Sequence, residues 1–488
     1  MEISPSYAQL KEAANEGRYN VYPVSCQILS DCCTPIQALR KLKGISDHCY
    51  MLESAEKKQR WGRYTFLGFE PAMEITCTDG RLTVNGTETF TSDPAAEIRK
   101  ILAEYRSPRL PGLPPFTGGL VGYFAYDYVK YYQPKAKTDV TDDEGFKDLD
   151  LMLFDKVIAF DNFGQKITII VNVRLCDLEA EYERAAAETE RIRQILVSPN
   201  GTEEYRGKIV GTVRRMFDKE QYCKMVRRAQ EYITEGDIFQ IVLSNRLSAR
   251  FEGSLFDAYR LLRTINPSPY MFYISGTDLQ IAGASPETLI KLENGVLHTF
   301  PLAGTRPRGK DEEQDRKLQR ELLADEKELA EHNMLVDLGR NDLGKICKFG
   351  SVKIDKLHSV EKYSHVMHIG STVSGVIRDE FDALDAIAAA LPAGTLSGAP
   401  KVRACQLIGQ LEGIKRGIYG GAIGYIDFTG NLDVCIAIRA AYERGGVVHV
   451  RSGAGIVADS VPENEYQECI NKAQAVMQAL QSAGGGTL

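Results

Sequence analysis

A chain of 488 residues that is 43% hydrophobic and 26% charged has the composition of a globular enzyme and is long enough for more than one core. Its net charge of −7 removes the electrostatic reason to expect nucleic acid or a membrane as partner, and no run of about 18 apolar residues is available to span a bilayer. The opening MEISPSYAQLKEAANEG lacks the basic and apolar segments of a signal peptide, and the 11 scattered cysteines include no Cys-x-x-Cys pair, so a cytoplasmic protein with reduced thiols is expected. Adjacent Cys32 and Cys33 read as small buried side chains and not as a disulfide.

The first third reads as helix followed by antiparallel sheet. Pro71 to Phe90 alternates apolar and polar residues around Asp79-Gly80 and Asn85-Gly86, dipeptides that favour hairpin turns. Pro108 to Gly122 breaks this pattern, Lys156 to Val173 is strand-like, and Leu178 to Leu196 is a charged helical run. Ser198-Pro199-Asn200-Gly201 is the best linker. It suggests an N-terminal region, 1–200, and a second region, 201–488, packed closely together.

Beyond the linker, helices and strands follow in irregular order with too few βαβ units for a doubly wound sheet, so the fold class is α+β. The loop Ala303 to Gly309 reads as a ligand-approaching turn or a plain connector. Asp311 to Lys345 is a long helical pattern that sets Glu328 and Glu331 on one face. His365 and His368 are spaced like a metal pair, yet no zinc-type cluster accompanies them. In Pro392 to Pro400 the prolines close one helix and open the next around glycines and hydroxyls. Gly417 to Phe428, Leu432 to Tyr442 and Val447 to Val457 read as a three-stranded meander. On the second of these strands Arg439 sits between Ala437 and Ala441, as a carboxylate fork or as a structural ion pair. The third runs into Gly453-Ala454-Gly455, whose bare amides suit an anion. A last helix opens with a Ser460/Glu463 capping box and carries Glu465, Glu468 and Lys472. Two glutamate pairs facing each other would suit Mg²⁺, a hard cation that takes oxygen ligands; the same spacing also describes two solvated helix faces.

Taken together, Asp237 to Ser244, Ala284 to Glu287, Pro301 to Gly309, Lys327 to His332, Val366 to His368, Ala393 to Gly398 and Gly453 to Gly455 resemble the motifs of the chorismate-utilising enzymes over nearly the whole chain. The resemblance implies a large antiparallel-sheet sandwich flanked by helices, with chorismate as substrate. It assigns Glu331 and Glu468 as direct Mg²⁺ ligands and Glu328 and Glu465 as partners through metal-bound water. Tyr419, Arg439 and the amides of Gly453, Ala454 and Gly455 are implied to grip the enolpyruvyl carboxylate. Thr305, Thr395 and Lys472 line the ring-carboxylate side, Glu287 is the match for a general acid, and His368 for the group that handles the ring proton.

Two positions sort the chain among its relatives. Isochorismate and salicylate synthases carry a water-activating lysine where this chain has Gln240, and aminodeoxychorismate synthase carries a lysine in its loop where this chain has Ala303. Both point to ammonia as nucleophile and to anthranilate with pyruvate as products. Aminodeoxychorismate synthase component I is the alternative enzyme, and an inactive tryptophan-sensing subunit the alternative of another class. The chain has no G-x-C-x-G-x-Q glutaminase motif, so a separate glutamine amidotransferase subunit is implied. Met51-Leu-Glu53-Ser54 and Asn266 to Met271 resemble the family's tryptophan site, which implies feedback inhibition through Glu53, Ser54, Pro269, Tyr270 and Met271.

Overall fold

Strand Cys49–Glu53 shows how the sheets arise: Tyr50 and Leu52 face one core while Cys49 and Met51 face another, so period-two alternation yields two apolar faces. Strand Tyr270–Ser275 divides in the same way, Phe272 and Ile274 to one side, Met271 and Tyr273 to the other. The computed structural model describes residues 3–55, 62–199, 206–362 and 366–484. Among them such strands build two antiparallel sheets of twelve strands each. One core lies between the sheets, joining Tyr50 and Phe272 of the first to Ile290 and Val434 of the second. Helices cover the outer face of the first sheet through Leu39, Phe256 and Leu480. This is the expected α+β sandwich with flanking helices.

Both sheets take strands from either side of residue 200. Cys49–Glu53 pairs with Tyr270–Ser275 in the first sheet, and Gly119–Phe124 with Ala422–Asp427 in the second. The regions 1–200 and 201–488 therefore share their cores; of the linker, Asn200 and Gly201 lie outside the described residues.

Four helices bear on function: α1 (Phe256–Ile265), α2 (Glu326–Gly344), α3 (Lys401–Glu412) and α4 (Pro462–Ala483). The prolines at 392 and 400 bracket the loop before α3 as expected, following helix Ala383–Ala390.

The local turn signals hold. Asp79 and Asn85 have φ of 50° and 45°, and Gly80 and Gly86 84° and 79°, the left-handed pair that a type I′ hairpin turn needs. Elsewhere the boundaries move. Lys156 to Val173 is a hairpin, Lys156–Asp161 and Lys166–Arg174. The long pattern from Asp311 is two helices, because Asp325 leaves helical geometry (ψ 104°) and its carboxylate accepts the N–H groups of Lys327 and Glu328, capping α2. The Ser460 capping box does not form: Ser460 Oγ accepts the Val457 N–H at 3.1 Å, and α4 opens on Pro462, which needs no N–H partner. Leu432 to Tyr442 is not one strand but two, Leu432–Ile436 in the second sheet and Ala440–Arg444 in the first, so the last strands are no simple meander. All eleven cysteines are free; Cys33 is buried, but Cys32 is exposed, contrary to expectation.

Candidate active site

The chain passes between the sheets at two adjacent points, and each carries a charged side chain into one cleft. Strand Gln280–Ser285 of the first sheet gives way through Pro286 and Glu287 to Thr288–Glu293 of the second. The return passage runs from Ile436 through Arg439 to Ala440. The passages are stitched together by the Ile436 N–H on Glu287 O at 3.0 Å and the Ala284 N–H on Arg439 O at 3.1 Å. Arg439 is thus not flanked by alanines along a strand face, as its sequence neighbours suggest; it sits in the break with φ 50°, a conformation that costs a non-glycine residue about 1–2 kcal/mol.

The cleft holds about 690 Å³ of water-accessible space. Glu287, Arg439, Tyr419, Gln240, His368 and Thr395 line it, as do Thr305, Gly453, Gly455 and Lys472. Ala454 does not: alternation turns its side chain into a separate apolar cluster with Ile456, and only its backbone belongs to this strand's contribution. Gly453 has a steric reason. A Cβ there would meet both Leu243 O and Tyr419 Oη at 2.7 Å, so the missing side chain lets the phenol approach the strand.

The electrostatics separate two titratable groups. Burial pushes the Glu287 carboxyl up to about 7, against the opposing pull of the Thr395 hydroxyl, Lys472 and Arg439. Thr395 Oγ1 donates to Glu287 Oε1 at 2.9 Å. His368 is shifted the other way, burial favouring its neutral form. Its Nδ1 lies 3.0 Å from Gly304 O and 3.0 Å from Thr305 Oγ1. A carbonyl can only accept, so Nδ1 carries the proton and Nε2 is the basic nitrogen of the ring. His365, its partner in the metal-pair spacing, lies outside the described residues. Burial likewise disfavours the charge on Arg439, which makes this guanidinium a strong binder of any carboxylate that neutralises it.

Glu328 and Glu331 on α2 and Glu465 and Glu468 on α4 all line the same cleft, and the Glu468 charge is felt at Glu331. Burial raises the Glu331 pKa first, and Glu328 and Glu468 raise it further; Glu465 is also raised by burial, with Glu468 adding to it. This oxygen-only donor set fits Mg²⁺ chemically. Among the described residues no three acidic, cysteine or histidine side chains already stand at ion-holding distance. Instead Arg306 donates to Glu328 Oε1 at 3.0 Å and Lys472 pairs with Glu468 Oε1 at 2.6 Å, so one oxygen of each of these carboxylates is already engaged.

Sequence reasoning missed the support beneath the cleft. Glu412 of α3 is 0% exposed and accepts from Arg416 at 2.5 Å and Arg451 at 2.7 Å, both guanidiniums being 1% exposed. Ser244 also donates to Glu412. Arg416 and Arg451 lie 5.7 and 5.9 Å from the Tyr419 ring centre, so the charge cluster fixes Tyr419 from below. One signal was available: Arg451, Gly453 and Gly455 alternate along one strand face.

A second, smaller cavity of about 110 Å³ opens between the sheets, lined by Leu52, Glu53, Ser54, Pro269, Tyr270 and Met271 among others. The two segments expected to bind an inhibitor meet there because Met271 pairs with Glu53 in the first sheet. The Glu53 carboxylate is taken up by α1, accepting from Tyr259 Oη at 2.5 Å and Arg263 Nη2 at 2.9 Å.

A family model described as chorismate binding enzyme matches residues 47–478. The chain is 44% identical over 492 residues to anthranilate synthase component 1 of Acetivibrio thermocellus, covering 98% of this chain and 99% of that one. It is equally 44% identical over 498 residues to the Aquifex aeolicus component 1, covering 99% of each. The crystal structure of anthranilate synthase component I from Streptococcus pneumoniae superposes with a TM-score of 0.77 at 37% identity, over 92% of this chain and 98% of that one. The menaquinone-specific isochorismate synthase of Escherichia coli has the same fold, with a TM-score of 0.70 at 19% identity over 97% of this chain and 99% of its own.

Proposed function

This chain belongs to the chorismate-binding enzymes, and from that membership we propose that its cleft performs the anthranilate synthase component I reaction, converting chorismate and ammonia to anthranilate and pyruvate in the cytoplasm. The observation that carries the choice of nucleophile is Gln240. The residue is 7% exposed and lines the cleft, and its Oε1 has no hydrogen-bond partner among the described residues, so a buried acceptor faces the cleft for an N–H donor. An amide there cannot deprotonate water, and Ala303, which also lines the cleft, offers no amine for a covalent adduct.

Arg439, Tyr419 and the amides beside Gly453 and Gly455 hold the enolpyruvyl carboxylate; Thr305, Thr395 and Lys472 flank the ring carboxylate. Glu331 and Glu468, with Glu328 and Glu465 behind them, would hold Mg²⁺, which when bound neutralises that ring carboxylate. Ammonia attacks ring carbon 2, the double bonds shift, and the carbon 4 hydroxyl leaves as water with the proton of Glu287. The ammonium nitrogen returns a proton to Glu287, His368 Nε2 removes the proton from carbon 2, and the bond from carbon 3 to the enolpyruvyl oxygen breaks. The ring becomes aromatic as enolpyruvate departs and takes up a proton from solvent at its methylene carbon to become pyruvate. Exclusion of water by bound substrate guards the first step.

The direct test is incubation of the purified chain with chorismate, Mg²⁺ and either ammonium or glutamine. Ammonium yields anthranilate, faster at higher pH while free NH₃ limits the rate, and glutamine yields it only once a glutamine amidotransferase subunit is added. Glutamine-dependent product from the chain alone contradicts the reading, and a product retaining the enolpyruvyl group moves it to aminodeoxychorismate synthase.

The cavity between the sheets is proposed as the tryptophan site, since it combines the aromatic walls of Tyr64, Phe66, Tyr270 and Tyr425 with Ser54. Tryptophan bound there and chorismate in the cleft must weaken each other by the same factor. Ser54→Phe takes the place of tryptophan against this wall, so inhibition by added tryptophan weakens tenfold or more, on the order of the coupling such sites carry. Tryptophan titrations of both proteins at fixed chorismate decide this; superimposable curves reject the site.

A further inference from the structure

The cavity between the sheets and the carboxyl of Glu287 are joined by one side chain. Tyr270 lines the cavity, its backbone pairs with Ser285, and its phenol spans the gap to the second sheet. There it donates to Asp433 Oδ1 at 2.8 Å and lies 2.9 Å from Thr288 Oγ1. A carboxylate accepts only, so the phenol proton goes to Asp433, and the Thr288 hydroxyl donates to the phenol oxygen. Ser285 and Thr288 are the two ends of the passage that holds Pro286 and Glu287. Ser285 Oγ also accepts the Glu287 N–H at 3.3 Å, and Thr288 pairs with Cys435, another wall residue of the cavity. Tyr270 therefore grips both ends of the segment that carries Glu287, while its ring faces the cavity.

We infer that Thr288 and Asp433 are positioning residues that hold Glu287 through Tyr270, and that an occupant of the cavity acts on the reaction by shifting this hold. The inference rests on the reading of Glu287 as the acid and of the cavity as a tryptophan site. A ligand that presses on the Tyr270 ring or competes for Asp433 loosens the Thr288 bond, and Glu287 moves relative to Thr395, Arg439 and Lys472, the groups that face it. No continuous chain of moving elements is needed, since the cavity wall and the end of the catalytic segment are the same residues.

Thr288→Val removes the hydroxyl and keeps the shape; Thr288→Ser restores the hydroxyl. In the full chain, tryptophan binding without chorismate is measured by calorimetry, chorismate KM with and without saturating tryptophan, and the alkaline limb of kcat against pH. Thr288→Val is expected to bind tryptophan within about twofold of the parent. Its tryptophan-induced rise in chorismate KM should shrink by about fivefold or more, the scale of one lost hydrogen bond, with a displaced alkaline limb. Thr288→Ser should return both towards the parent. Parental coupling and an unmoved limb in Thr288→Val overturn the inference, as does equal loss in the Val and Ser variants. If the parent takes up no tryptophan, the regulatory reading fails separately, and an unmoved limb in Thr288→Val then overturns the positioning role.

Discussion

Glu287→Gln lowers kcat for anthranilate formation by about 10²–10⁴-fold, the usual worth of a positioned general acid. The hydroxyl on carbon 4 is a poor leaving group, and an amide has no proton to give it. The fold should survive, because Gln keeps the volume and the Thr395 hydroxyl still has a carbonyl to meet. The pH dependence follows from the sign of the shift. Burial lifts the Glu287 pKa to about 7, so its proton is held below that pH and lost as pH rises through it. With total ammonium fixed, growing free NH₃ masks this loss. With free NH₃ held constant, kcat should fall on the alkaline side, and the fall should be absent from the residual activity of Glu287→Gln. Near-parental turnover in the variant, or an alkaline limb that persists in it, removes Glu287 from the acid's role.

Glu331→Gln and Glu468→Gln are expected to cost at least about 100-fold in turnover, since each removes one anionic oxygen from the proposed Mg²⁺ site, and metal affinities fall by such factors even for less direct losses. The effect separates function from stability. Burial, Glu328 and Glu468 all raise the Glu331 pKa, which marks a cluster of like charges whose repulsion the folded state tolerates. Neutralising one member relieves repulsion, so the thermal midpoint should hold or rise while activity collapses. Titration of each variant with Mg²⁺, beside the parent in excess chelator, checks the assignment. Undiminished parental activity in chelator, or full activity in either variant, sinks it.

What the sequence disclosed and what it withheld divide by range. The hairpins at Asp79-Gly80 and Asn85-Gly86 were legible because a two-residue turn is decided by its own backbone preferences. The carboxylate pairs were legible as pairs, since helical spacing alone sets Glu328 above Glu331; that α2 and α4 border one cleft was not, for no local pattern records which helices share a cavity. The passage at Ala437–Arg439 was hidden by continuity: apolar residues run from Val434 to Tyr442 with Arg439 alone between them, and nothing in that run reports that the chain leaves one sheet for the other. The Glu412, Arg416 and Arg451 cluster was hidden for a related reason, since a buried arginine and a solvated one look alike until their partner is known. The family motifs supplied Glu287, which periodicity did not; Arg439 stood out by its alternation with Ala437 and Ala441, although the strand read there proved to be a break.

The two passages between the sheets also bear on how the chain reaches its native state. Gly283 pairs with Ala440, and Val242 with Gly455, so each ladder beside the cleft closes a long loop whose entropy must be lost before the pairing repays it. Glu287 and Arg439 acquire neighbours only once both sheets are in register, whereas hairpins such as Arg81–Val84 with Thr87–Phe90 need only local chain. Folding should therefore deliver secondary structure early and ligand-binding competence late, and refolding followed by chorismate turnover should lag behind refolding followed by circular dichroism.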